Sequence, residues 1–270
     1  MSFSKIFQNK RLRFMAVAVS LTGFLILLSS PTFLEEEVGV FLYPAVAVFL
    51  TYFALGRPKG IEVFTLHLLP AALSLGAVLN QYLFPNFSLG VKVVIWLSFL
   101  AVFYTLLLAL NVFRVERLKR EKIPLERAAR PAIFLLSFLA AFLILTVIHK
   151  LELGVLPAGA LVFFLGFSLG LNFLWFYTLT DLFERFHFIG AAVVGIGILQ
   201  ISLALSFFPW KGYLRGLSEG VFFYAILGIA RAYYEKHLKY TIVLEYILLS
   251  LAVFLFIRFF DLRTGLFLSG

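Results

Sequence analysis

The chain has 270 residues, of which 62% are hydrophobic and 14% charged, and it carries a net charge of +9 with a mean hydropathy of +1.02. A soluble fold of this size has too little interior for so many apolar side chains, and soluble domains are nearer a quarter charged. That excludes a water-soluble enzyme, a disordered chain and a nucleic-acid-binding domain. The absence of cysteine also excludes disulfides, thiolate metal sites, cysteine nucleophiles and palmitoylation.

What remains is an all-α, polytopic membrane protein. A helix needs ~20 mostly apolar residues to cross ~30 Å of hydrocarbon. Nine such runs occur: Phe14–Ser30, Val38–Leu55, Ile61–Phe84, Val91–Phe113, Pro131–Ile148, Val155–Leu179, Phe188–Phe208, Leu217–Tyr234 and Thr241–Phe260. The eighth is short and has Glu219 and Arg231 at its ends; without it the count is eight. The runs are apolar on all sides, as lipid-embedded helices are, and the ~10-residue alternating segments of a β-barrel are absent.

At the start, Lys10-Arg11-Leu12-Arg13 precedes the first run. No Ala-x-Ala-like site follows it, and Ser29-Ser30-Pro31-Thr32 leads into Glu35-Glu36-Glu37, so a retained anchor is expected rather than a cleaved signal. Pro44 and Pro70 are expected to kink the second and third spans, a feature membrane helices tolerate. Lys and Arg in the short loops then set the direction. With the N-terminus in the cytoplasm, 17 of the 23 basic residues fall inside, together with eight of the 14 acids. The whole net charge of +9 is then cytoplasmic and the outer side is neutral, which predicts N-terminus in and C-terminus out in the cytoplasmic (inner) membrane. Trp96 and Trp210 near outer ends and Trp175 near an inner end are expected in interfacial aromatic belts.

Residues 114–130 separate a four-helix half, 1–113, from a five-helix half, 131–270. The segment holds seven basic and three acidic residues and reads as a cytoplasmic loop. Its first part can form an amphipathic helix that breaks before Pro124. Arg114, Arg117, Lys119 and Arg120 are candidates for contact with anionic lipid headgroups, tempered by the interleaved Glu116, Glu121 and Glu126. No internal repeat is evident. Small residues mark close helix packing: Gly166 and Gly170 in the sixth span, Gly195 in the seventh and Gly228 in the eighth. Together they predict a tight core of these three helices.

Polar groups at depth are costly and point to function or to helix–helix hydrogen bonds. Here they are Glu62, His67, Asn172, Gln200 and Glu245. Glu62 is expected at the solvated interface, and Glu245 is expected to pair with Arg231. The densest polar run, Thr180 to His187, places Asp181 and Glu184 three apart on one helical face with His187 beyond, a spacing that acid/base pairs and metals use. No zinc-protease signature, Walker loop, nucleophile elbow or dinucleotide fingerprint accompanies it, so no metal or cofactor is expected.

The stretch Tyr104 to Ile148, with TLLLALNVFRVERLKREKIPLERAARPAIFLLSFL, resembles a bacterial group of uncharacterised multi-pass membrane proteins, a domain of unknown function. The resemblance implies the architecture and transfers no active residue or substrate. Three function classes follow from the residues. The first is a non-catalytic scaffold or assembly partner for another membrane protein, favoured by the sparse polar groups. The second is a carrier for a lipid or apolar solute, with Asn172, Gln200, Glu62 and His67 lining a route. The third, less favoured, is a membrane-embedded enzyme on a lipid-linked substrate at the cytoplasmic face, using Asp181, Glu184 and His187. A nucleic-acid partner is not expected.

Overall fold

The computed structural model describes residues 9–30, 34–119, 124–208, 210 and 212–268. Among them the chain forms nine α-helices and no strand: α1 Lys10–Leu28, α2 Glu36–Leu55, α3 Ile61–Leu83, α4 Leu89–Lys119, α5 Glu126–Lys150, α6 Val155–Thr178, α7 Arg185–Leu205, α8 Gly212–Tyr234 and α9 Tyr240–Leu268. Eight of them, all but α8, are long and apolar enough to cross a membrane. Local chemistry sets their ends. The Asn9 side chain accepts from the Arg11 N–H at 3.1 Å at the start of α1. Glu36 and Glu37 stand in the first turn of α2, where the helix dipole favours anions. Gly56, at φ 86°, closes the same helix in the left-handed region that glycine enters without a steric penalty. Helices α2 and α3 run on through Pro44 and Pro70.

Two expected boundaries move. Helix α4 has 31 residues, about 46 Å at 1.5 Å per residue. It exceeds the ~30 Å of a hydrocarbon core and carries Arg114 and Arg117 in one unbroken helix with the apolar run, where the expected amphipathic helix stood in the segment after the span. The eighth segment is longer than its apolar run, with 23 residues. Its low hydropathy comes from Arg215, Glu219 and Arg231, and Glu219 has no exposed surface.

The chain divides into two compact units, Met1–Ala140 with Trp175–Phe183, and Ala141–Leu174 with Glu184–Gly270. In the first, polar side chains tie neighbouring helices through main-chain acceptors. Tyr43 of α2 is fully buried and donates its hydroxyl to Leu21 O of α1 at 3.1 Å. Gln81 of α3 donates to Leu25 O at 2.9 Å and accepts from Trp96 Nε1 of α4 at 3.1 Å. The hydroxyls of Thr22, Thr65 and Thr105 bond the preceding turn, Thr22 to Ala18 O at 2.9 Å, which removes an unpaired donor from an apolar setting.

In the second unit small residues bring helices together. A Cβ on Gly166 of α6 would lie 2.5 Å from Ile198 Cγ2 and 3.2 Å from the Gly195 Cα of α7; one on Gly195 would lie 3.0 Å from the Phe163 main-chain oxygen. Gly170 faces Val194, and the Tyr246 ring of α9 occupies the space over Gly228 of α8. An apolar cluster of Leu205, Trp210, Leu214 and Ile257 joins the α7–α8 turn to α8 and α9. Trp210 is thus buried, and Trp175 is fully buried in the first unit; neither forms the interfacial belt expected of it, because each ring is covered by its own unit.

Gly195→Leu should destabilise the protein by about 1–3 kcal/mol, the cost of overpacking a close contact. Gly23→Ala, which meets nothing within 4 Å, should leave stability unchanged or raised. Thermal unfolding in detergent reads both, and equal midpoints for the two variants would contradict this packing.

Candidate functional site

Two ionic networks are built into the helices. The first lies in the first unit. Glu62 stands in the first turn of α3 and is 5% exposed, so the expectation of a solvated carboxylate is corrected. Arg117 Nη1 reaches its Oε1 at 3.0 Å, and Arg114 Nε lies 3.7 Å from its Oε2. Arg117 also pairs with Asp181 at 2.8 Å and lies 5.7 Å from the Trp175 ring centroid, while Arg114 donates to Gly56 O at 2.8 Å. The arrangement is a clamp on α3, α4 and the chain after α6. It explains why two of the four arginines and lysines expected to face lipid headgroups turn inward. Lys119 is exposed, and Arg120 lies outside the described residues.

The run from Thr180 to His187 does not form one helical face. Helix α6 stops at Thr178. Leu179 enters the left-handed region at φ 49°, its N–H bonds Trp175 O at 2.8 Å, and the buried Trp175 indole donates to Thr180 O at 3.0 Å. Asp181 therefore sits in a loop on Arg117. His187 is fully buried, and its Nδ1 accepts the Glu184 N–H at 3.0 Å, so it caps the start of α7. A cap satisfies one of the orphan donors of a helix N-terminus. Among the described residues no group of three or more His, Asp or Glu could hold a metal.

The other intramembrane polar residues scatter. His67 is buried, and its Nδ1 donates to Val63 O at 2.6 Å. Asn172 is buried in the second unit, whereas Gln200 and Glu245 are exposed. Arg231, in the last turn of α8, pairs with Glu235 at 3.1 Å, in the turn just past the end of that helix, where Glu245 was the expected partner.

The second network gathers residues that the sequence reading assigned to span ends and loops. A Cβ on Gly216 would lie 2.7 Å from the Thr146 main-chain nitrogen, and one on Gly212 3.3 Å from that of Lys150. These contacts run α8 antiparallel to the end of α5 at backbone distance. Side chains lean toward the N-terminus of their own helix, so His149 and Glu219 lean toward each other. Glu219 has 0% exposure. Its Oε2 lies 2.7 Å from His149 Nε2, and its Oε1 accepts from Arg215 Nε at 3.1 Å. A carboxylate oxygen only accepts, so His149 supplies an N–H. Arg215 also donates through Nη2 to Ser202 O at 2.9 Å, reaching α7. Beside this group lies a cavity of about 250 Å³ whose wall includes His149, Arg215, Ser202, Ser206 and Glu152 together with Ile148 and Leu203. The signal in the sequence is the four-residue spacing of Arg215 and Glu219 beside Gly212 and Gly216; the sequence reading took only Glu219 from it, as one end of the short eighth run.

Such a group can hold a polar or charged ligand part inside an otherwise apolar wall. It also holds the unit together. Glu219→Leu should cost about 3–5 kcal/mol, because Arg215 loses its counter-ion in a buried setting. Adding Arg215→Leu should recover most of that loss. Thermal unfolding of the two single variants and the double variant tests this; strict additivity would remove the coupling.

Residues 53–260 match the model of a protein family described as a protein of unknown function (DUF5656). No curated protein and no solved structure matches the chain. With more than half of its length inside that match, the chain belongs to the family of proteins of unknown function DUF5656.

Proposed function

We propose that the protein is a cytoplasmic-membrane protein with its N-terminus inside and its C-terminus outside, and that it is a carrier for a lipid-like amphiphile. The observation that carries the functional part is the cavity of about 250 Å³ lined by His149, Arg215 and Ser202 together with Ile148 and Leu203. Ionisable groups at membrane depth are costly and point to a functional site by default, and these line a cavity. The orientation rests on the 17 of 23 basic residues that one arrangement of the loops collects on a single side. It puts the His149–Arg215 cavity at the outer leaflet.

Nine crossings fit this reading better than eight. Helix α8 has 23 residues, about 34 Å, enough to span. The Glu219 charge that lowers its hydropathy is turned away from any lipid. Lys119, exposed at the end of α4, remains available to anionic headgroups on the inner side.

The Glu62 clamp favours a second reading, a non-catalytic scaffold, since its arginines are used within the protein. The two separate in reconstituted vesicles. Ala158→Trp fills the cavity wall without touching the ion pairs. Transbilayer movement of a fluorescent phospholipid should exceed the protein-free background with the unaltered protein and return to it with Ala158→Trp. Movement at background for the unaltered protein, or movement untouched by the substitution, would leave the scaffold.

A further inference from the structure

We infer that the cavity receives a phosphoethanolamine group, a phosphate oxyanion held by Arg215 and a primary ammonium held by Glu152; this deepens the carrier reading and rests on it.

Charge is the first consideration. On the cavity wall Arg215 is matched by Glu219 through their 3.1 Å ion pair. That leaves Glu152, which lines the same cavity from the exposed turn after α5; among the described residues no ion pair engages it. A carboxylate with no ion pair on a cavity wall offers a partner to a cationic group on the ligand. A simple anion such as inorganic phosphate, or the glycerol headgroup of an anionic lipid, brings none.

Hydrogen-bond capacity is the second. A guanidinium has five N–H donors. Nε goes to Glu219 and Nη2 to Ser202 O and Oγ, so the two N–H groups of Nη1 can face a phosphate oxyanion. A primary ammonium has three donors for the Glu152 carboxylate. A quaternary ammonium has none, so choline is the poorer fit.

Size and setting are the third. A cavity of about 250 Å³ lies below the ~300–1,000 Å³ of pockets for drug-sized ligands, which suits a headgroup and not a whole lipid. The rim residues Leu153 and Val155 are exposed and apolar, so acyl chains can stay in the bilayer. Glu152 itself is held at φ 51°, two residues before Gly154 at φ 78°, in the turn past the end of α5 that contributes to the cavity lining.

Native mass spectrometry of the full-length protein in a gentle detergent tests this. Phosphatidylethanolamine, phosphatidylcholine and phosphatidylglycerol of identical acyl chains are offered at equal concentration, with free phosphoethanolamine as competitor. The unaltered protein should retain phosphatidylethanolamine over the other two, and Glu152→Gln should abolish that preference with an unchanged thermal midpoint, since Glu152 lies in an exposed turn. Competition by free phosphoethanolamine identifies a soluble source of the group, and its failure a lipid source. Equal retention of the three lipids, or a preference that survives Glu152→Gln, overturns the inference. Lipid movement without headgroup preference defeats this inference alone, and preference without movement defeats the carrier reading alone.

Discussion

Glu219 has no exposed surface, and an ionised carboxylate in that position is tolerated only because Arg215 and His149 reach its two oxygens from different helices. In hydrocarbon there is no water to take over a lost partner. The requirement extends outward from this one side chain. Arg215 must stay a turn before Glu219 on α8, His149 must end α5, and the two helices must touch. Glu62 obeys the same constraint in the other unit, where Arg114 and Arg117 come from the extended end of α4. The difference lies in what surrounds them. Arg117 continues to Asp181 and lies over Trp175, a closed clamp, whereas Arg215 and His149 border an open cavity.

Side-chain size makes those meetings reachable. Gly216 stands 2.7 Å from a main-chain nitrogen once a Cβ is imagined on it, so any larger residue would push α8 off α5 and separate Glu219 from His149. Gly166 and Gly195 do the same for α6 and α7. With lipid as apolar as leucine, helices here gain little from hydrophobic burial against one another, and close dispersion contacts and satisfied polar groups take its place.

The helical architecture was legible because the hydropathy signal of a span is long and redundant, and a few polar residues do not erase it. Span ends were less so. A charge is normally where a span stops, and the sequence allowed a separate amphipathic helix at Arg114 and Arg117, yet α4 runs on through both without a break from the apolar run. The site was the least legible part. The Asp181–Glu184 spacing implied a helical face that Leu179, in the left-handed region, interrupts. His149, Arg215 and Glu219 are 66 or more residues apart across α5 and α8 in the case of His149, so only the folded chain joins them. What the sequence did hold was the local half of that site, the Arg215–Glu219 pair one helical turn apart.

The proposed orientation requires the cavity beside Glu219 to open to the outer face of the membrane. The chain contains no cysteine, so Ser206→Cys, at the cavity wall, introduces a unique thiol. In intact cells a membrane-impermeant maleimide added from outside should label it. Labelling that appears only after the membrane is permeabilised would place the cavity on the other side and contradict the account.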